Sequence, residues 1–576
     1  MNDTIRTRKK VDVSTIILIL SILVLVVFVA IPVILIFITA FFENGKFNIA
    51  GVVKILSDPD TYSALLNSVI IALGTTLLST ILGTFFAWLV ARTDLPFKNA
   101  MKALFLVPFM LPAFIGALAW KVLLSPRSGY LNKFLMQLFG LEKAPFDILT
   151  LGGIIAIESM YLFPFVFLQV EGALERMDPT LEESARISGA SLFTITRKIT
   201  LPLVMPSILA GALLVALYSL SHFGVPSILG IEKGIYNIPT KIYERIYASG
   251  GSFGAIRVAT ILSTILVISA AIILKLQDVL LKKGQYQVIA GKSMRPVVLK
   301  LRGLKYPLLI ISIIYIFITV IMPTVTIFLV GGLKTYGLPF KLQYMTFDNY
   351  IKIFQWKITK DAIKNSLYLS LSAALVTMLA GTMISYAIVK MKFKGKFILQ
   401  FLGVLPFSLP GTVIAIGVIL TWSGRFGINL YNTAAIIFVA YIARYMAFSI
   451  KSSSASLSQV SDSLEEAARA CGASHWQSLK DIVLPLIRPG MISGFFLIFL
   501  PALRELTTSV LLYGPTTRTI GVAIYTLNED GETVKAAALA SIALIIILLG
   551  ETLIRSFVAK LEQRSTHIKE IENAPA

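Results

Sequence analysis

Two stretches of this sequence place the same residue types at the same spacing. From Thr180 to Pro202 the chain reads TLEESARISGASLFTITRKITLP, and from Ser463 to Pro485 it reads SLEEAARACGASHWQSLKDIVLP. Each holds a Glu, two small residues, a Gly after three more, and then Ile and Leu-Pro. These are Glu183, Gly189, Ile199, Leu201 and Pro202, matched without a gap by Glu466, Gly472, Ile482, Leu484 and Pro485. The chemistry open to such a pattern is recognition by short capped helices. Thr180 and Ser463 are capping types with Glu183 and Glu466 three residues on, which predicts a capping box at the start of each first helix. Gly189 and Gly472 take the left-handed turn that ends it at little cost. Ser191 and Ser474 then cap a second helix, with Gln477 completing a box in the second copy. Pro202 and Pro485 stand where a new apolar helix is expected to begin.

A second set of residues is polar inside apolar stretches, where ionisable groups are expensive and mark function or interhelical pairing. At the spacing of the two loops, Glu158 corresponds to Tyr441, Tyr161 to Arg444, Ser221 to Arg504 and His222 to Glu505. Such pairs are expected to face one another across a pseudo-two-fold axis, lining a translocation pathway or holding the bundle together. Other chemistries are excluded. One cysteine, Cys471, and three histidines give no disulfide and no Cys/His metal cage. Gly291-Lys292-Ser293 lacks the upstream glycine, strand and helix of a phosphate loop.

The elements that position these residues are membrane helices. The chain has 576 residues, is 56% hydrophobic and only 14% charged, far below the roughly 25% charged residues of soluble domains. Twelve apolar spans are predicted at 16–41, 63–91, 102–124, 149–171, 203–222 and 256–276, then 307–331, 363–389, 398–422, 431–450, 486–506 and 537–558. The first follows Arg6 to Lys10 and lacks a cleavage site, so it reads as a retained helix. Pro108, Pro112, Pro406 and Pro410 should kink the third and ninth spans. The net charge of +21 is spread between spans, which suits lipid headgroups rather than nucleic acid. Lys and Arg are denser in alternate loops, so both termini are expected in the cytoplasm. An even number of spans separates the two loops, and the halves are therefore parallel repeats.

The repeat runs upstream of the loops. Asn67-Ser68 matches Asn365-Ser366, Gly83 matches Gly381, and Pro108 and Pro112 match Pro406 and Pro410, with an insertion expected in the first half between Ser125 and Asp147. The expected organisation is an all-α integral membrane protein of two six-helix halves, 1–290 with its loop at 180–202 and 291–576 with its loop at 463–485.

On these residues the sequence resembles the fused, two-half permeases of binding-protein-dependent ATP-binding cassette (ABC) importers, and the two stretches resemble their EAA loops. The segments SHFGVPSILGIEKGIYNIPTKIYERI and RELTTSVLLYGPTTRTIGVAIYTLNEDG resemble the ferric-iron group, which also holds hexose-phosphate importers. Where that group often carries an acid, this chain has His222. The resemblance implies a type I importer permease in a bacterial cytoplasmic membrane, moving a small solute by alternating access, most readily ferric iron. Hexose phosphate, phosphonate, thiamine and polyamine are the alternatives. It implies no enzyme activity, metal or cofactor of the chain's own. ATP and magnesium would sit on two copies of a cytoplasmic ABC ATPase, and an extracytoplasmic binding protein would deliver the solute. Glu183, Gly189, Leu192 and Phe193, with Glu466, Gly472, His475 and Trp476, would form the ATPase-coupling surfaces. A gradient-driven secondary transporter is the alternative class, since such carriers also contain repeats; it needs no ATPase-docking loops.

Overall fold

The computed structural model describes residues 13–178, 180–248, 253–283 and 298–572, without the side chains of Leu192, Phe253, 281–283, 553–555 and 557–572. The expected basic run at Arg6 to Lys10 and the Gly291-Lys292-Ser293 tripeptide lie outside the described residues. Among the described residues, ten helices are long and apolar enough to cross a membrane, and counting each of two bent helix pairs as one span gives up to twelve. The spans are Val13–Phe41, Pro59–Arg92, the pair Lys98–Met110 with Ala113–Leu124, Leu151–Arg176, Phe193–Leu220 and Gly254–Leu280. They continue as Arg302–Gly331, Lys357–Lys390, the pair Lys396–Ser408 with Gly411–Trp422, Ala434–Leu457, His475–Leu503 and Thr533–Thr552. All twelve stand where the apolar periods predict them, and they are numbered below in this order.

The third and ninth spans differ from expectation. They are broken, not kinked, with bends of 91° and 117°. The cause is the second proline of each pair. Pro112 and Pro410 push the residue before them out of the helical region, and Leu111 and Leu409 are extended at ψ 138° and 129°. Pro108 and Pro406 remain inside the first limbs.

A further departure concerns Pro202 and Pro485, which do not start new helices. The helical run is continuous from the short helix after each loop glycine into the fifth and eleventh spans, through five-residue π segments at Thr196–Thr200 and Leu479–Val483. The same device occurs at Val26–Ala30 before Pro32 and at Phe317–Ile321 before Pro323. In all four, the N–H of the residue before the proline bonds five residues back: Ile31 to Val26, Leu201 to Thr196, Met322 to Phe317 and Leu484 to Leu479. A proline inside an α-helix lacks a donor and its ring strikes the carbonyl four residues back. The wider π turn opens the helix at that point, so the span continues across the proline.

Packing divides the chain into two units. The larger comprises Thr39–Lys360 and Gly521–Ile547, the smaller Met1–Ile38, Asp361–Ile520 and Leu548–Ala576. These packing groups are not the two sequence halves. In the larger unit the seventh span joins spans of the first half, and its Ile316 and Tyr315 pack with Phe86, Phe105 and Phe163. In the smaller unit the first span joins spans of the second half, with Leu25 and Val29 against Ile384, Leu399 and Met446. The repeated glycines allow close helix approach. A Cβ at Gly83 would lie 2.7 Å from Val166 Cβ on the fourth span, and one at Gly381 would overlap Ser449 on the tenth.

The repeated Asn-Ser pairs do one job in both units. In the larger, Asn67 Nδ2 donates to Tyr236 O at 3.0 Å and Ser68 Oγ accepts from Ile238 N at 2.7 Å. In the smaller, Asn365 Nδ2 donates to Thr516 O at 2.9 Å and Arg518 O at 3.0 Å, while Ser366 Oγ accepts from Ile520 N at 2.7 Å. Each pair fastens the segment after its unit's loop-bearing span, and so fixes the backbone beyond the polar residues described next.

Candidate functional site

The first loop begins with the helix Thr180–Ile187 and the second with Asp462–Ala470. Their caps lie earlier than predicted. Asp178 Oδ1 accepts from Thr180 N at 2.9 Å, and Ser461 Oγ accepts from Ser463 N at 3.3 Å. Thr180 and Ser463 therefore belong to the first turns, each two residues after the side chain that accepts from its N–H. The hydrogen bond from Thr180 holds the Asp178 carboxyl below the usual carboxylate range. Glu183 and Glu466 close no box. Both are exposed, and among the described residues neither makes a hydrogen bond or ion pair.

The turns and second helices form as predicted. Gly189 and Gly472 have φ of +82° and +89°, and a Cβ on either would meet nothing within 4 Å. Glycine is thus required there by backbone conformation alone. Ser191 Oγ accepts from Thr194 N at 3.2 Å. Ser474 and Gln477 form the full reciprocal box, at 3.2 Å and 2.8 Å. Phe193 is 73% exposed and Trp476 is 54% exposed. His475 is half-buried, its Nε2 3.5 Å from Arg469 Nη1. The side chain of Leu192 lies outside the described residues. Sequence reasoning missed Ile187, which is 88% exposed just before the glycine; a large apolar residue at the end of a short polar helix was the available signal.

It also missed the buried acids. The residue before each motif glutamate, Glu182 and Glu465, is the one turned inward, 4% and 9% exposed. Glu182 faces Arg92, and Glu465 faces Tyr386 and Lys390. The adjacent Glu-Glu in both copies gives no sign of which glutamate is buried; the helix phase against Arg92 or Lys390 decides it.

The polar residues of the spans collect into one cluster per unit. In the larger, Glu158 is fully buried on the fourth span. Its carboxylate accepts from Ser219 Oγ at 2.6 Å and Thr75 Oγ1 at 3.3 Å, and lies 3.0 Å from His222 Nδ1. The His222 carbonyl accepts from Asn237 Nδ2 at 2.8 Å, and its side chain stays 22% exposed. In the smaller unit, Arg444 on the tenth span lies 3.3 Å from Glu505 Oε2 through Nε and donates to Thr508 Oγ1 at 2.7 Å. Glu505 also accepts from Tyr445 OH at 3.0 Å and Thr508 N at 2.8 Å. Tyr441 OH is 2.7 Å from Ser509 Oγ. Arg504, half-buried, is the C-cap residue immediately after the eleventh span.

The acid and base have exchanged elements between repeats. The larger unit has its acid on the fourth span and its base after the fifth; the smaller has its base on the tenth and its acid after the eleventh. Each couple joins residues of a single unit. Tyr161 and Arg444, equivalent in the repeat, each press on the second limb of a broken span. A Cβ on Gly116 would overlap the Tyr161 hydroxyl, and one on Gly411 would overlap the Arg444 guanidinium. Those contacts explain glycines that no turn requires. Among the described residues no three of His, Cys, Asp and Glu converge as metal ligands.

Comparison with known proteins agrees with this geometry. The family model described as binding-protein-dependent transport system inner membrane component matches residues 79–283 and 373–566, one match for each repeat. The ferric transport system permease FbpB of Actinobacillus pleuropneumoniae is 28% identical over 522 residues, covering 90% of this chain and 74% of that protein. The Fe(3+)-transport system permease FbpB 2 of Haemophilus influenzae is 25% identical, over 90% of this chain and 94% of its own. The spermidine/putrescine transport system permease PotB of Escherichia coli is 35% identical over 181 residues, 31% of this chain and 65% of that one.

Proposed function

Since the chain belongs to the family of binding-protein-dependent transport system inner membrane components, it is a multi-pass inner-membrane permease subunit of an ABC importer with the type I fold, and we propose that it moves ferric iron. In this reading an extracytoplasmic binding protein delivers the ion, and two copies of a separate cytoplasmic ATPase drive alternating access. Both termini and both loops face the cytoplasm. The chain itself hydrolyses nothing and holds no cofactor.

The observation that carries the reading is the pair of loops. Each presents a glycine turn between two short helices with exposed apolar side chains on either side, Ile187 and Phe193 in one and Leu464 and Trp476 in the other. Large exposed apolar residues on a rigid turn are what a partner's groove needs as anchors. Glu183 and Glu466 stand beside them, exposed, as charges for the partner. A carrier driven by an ion gradient has no use for two such surfaces.

His222, Arg444 and Arg504 are proposed to line the solute pathway, with Glu158, Tyr161, Tyr441 and Glu505 setting their positions. His222 is the member of the first cluster with exposed surface, and Arg444 is 24% exposed in the second. The ferric assignment is supported by the two relatives that align along most of this chain and are named for ferric transport. A polyamine has one observation in its favour, the identity to PotB. Purifying the genetically linked binding protein with its native ligand separates the two. Bound iron is the expected result, and a bound polyamine overturns the ferric assignment while leaving the importer reading intact.

A further inference from the structure

Each unit contains a buried ion pair, at the joint between a span and its loop, that neither the exposed loop surface nor the polar clusters use. In the larger unit, Arg92 is the last residue of the second span and is fully buried. Its Nη1 lies 3.5 Å from Glu182 Oε2, on the first short helix of the loop. The other Glu182 oxygen accepts from Thr200 Oγ1 at 2.6 Å, at the end of the π turn that opens the fifth span. One carboxylate therefore ties the loop to two membrane helices. The Arg92 nitrogens make no hydrogen bond among the described residues, so Glu182 is the group that balances the buried charge.

The smaller unit repeats the arrangement with different chemistry. Lys390 is the last residue of the eighth span, with a side chain 5% exposed. Its Nζ lies 3.8 Å from Glu465 Oε1 and 2.6 Å from Asp462 Oδ1, both on the first short helix of the second loop. Tyr386 OH, one turn earlier on the same span, donates to Glu465 Oε2 at 2.9 Å. Glu465 stands to Glu182 as Glu466 stands to Glu183. Lys390 stands to Arg92 as Asn365 stands to Asn67. These are the two different offsets of the repeat, so residues far apart in sequence meet at the same contact in both units.

A buried ion pair contributes little net stability, because desolvation offsets the attraction, and apolar replacements are often as stable. What it supplies is constraint. If the short helix moves without its span, a buried charge loses its partner. We propose that Arg92–Glu182 and Lys390–Glu465 are positioning pairs that convert movement of a docked ATPase into movement of the second and eighth spans. This rests on reading the loops as ATPase-docking surfaces.

The test is Arg92→Met combined with Glu182→Leu in the full importer, reconstituted in proteoliposomes with its ATPase and binding protein. The measurements are recovery of the ATPase, ATP hydrolysis and ferric uptake per ATP. Recovery and hydrolysis should stay near wild type, while uptake per ATP falls by roughly tenfold, an ordinary size for coupling between sites. The exchange variant, Arg92→Glu with Glu182→Arg, should recover part of the loss, and it decides the matter if the apolar pair fails to accumulate. Wild-type uptake per ATP in the apolar variant overturns the proposal. So does a parallel fall of recovery, hydrolysis and uptake that the exchange does not relieve, which marks a purely structural pair. If the unmutated chain retains no ATPase, the docking reading is what has failed, and the positioning role falls with it.

Discussion

At the scale of single residues, the loop glycines make the sharpest case. Gly189 and Gly472 have positive φ and empty space where a side chain would go, so a β-branched residue brings backbone strain without a clash. That strain is on the order of 1–3 kcal/mol, too small to unfold a twelve-span bundle and large enough to re-aim a short helix. Gly472→Val and Gly189→Val are expected to insert at near-normal abundance and to lose ATPase on affinity purification. Gly427→Val is a matched control, because Gly427 also has φ +82° and open space but lies outside both loops. Equal ATPase recovery in all three would remove the coupling role. A second prediction concerns Arg444. Gly411→Ala should displace its guanidinium, lowering transport while ATPase recovery is unchanged; normal uptake would separate Arg444 from the pathway. Sequence alone reached the glycines, because positive φ leaves a residue-type signature. It did not reach Glu182 and Glu465. Two adjacent glutamates look alike in sequence, and only the helix phase against Arg92 or Lys390 tells the buried one from the exposed one.

At the scale of elements, hydrophobic length located all twelve spans and proline located their irregularities, but not the form these take. Expecting helix starts at Pro202 and Pro485 treated proline as a boundary. The chain instead widens one turn before each proline and carries the helix through, so the loop's second helix and the following span are one body. Pro485→Ala removes the reason for the wide turn and favours an α-helix there by up to about 3 kcal/mol. Closing the π turn would rotate the loop relative to the eleventh span. The expected outcome is equal or greater thermal stability with reduced ATPase recovery, read by melting and by pull-down; unchanged recovery would show that the π turn does not set the loop's aim. The broken third and ninth spans teach the same lesson from the other side. Two prolines four residues apart signal an interruption, but neither the size of the 91° and 117° bends nor the glycines of the second limbs against which Tyr161 and Arg444 pack.

At the scale of the whole molecule, the repeat was legible in sequence because its offsets are constant within each block. The grouping of the first span with the second half, and of the seventh with the first, was not, because a nearly uniform apolar helix carries no mark of its neighbours. Orientation is open to direct test. Cysteine at Ser57, with Cys471 replaced by Ser, should react with an impermeant thiol reagent in intact cells, and cysteine at Lys394 should react only after the membrane is opened; labelling of the Lys394 position from outside would invert the assignment of the loops to the cytoplasm. The central claim, that paired loops make this chain the permease of an ATP-driven importer, is tested most directly by uptake into proteoliposomes that hold the ATPase, supplied outside with the iron-loaded binding protein. The account predicts ferric accumulation that requires ATP inside and the binding protein outside, and that persists when proton and sodium gradients are collapsed. Accumulation driven by an ion gradient without ATP would contradict it.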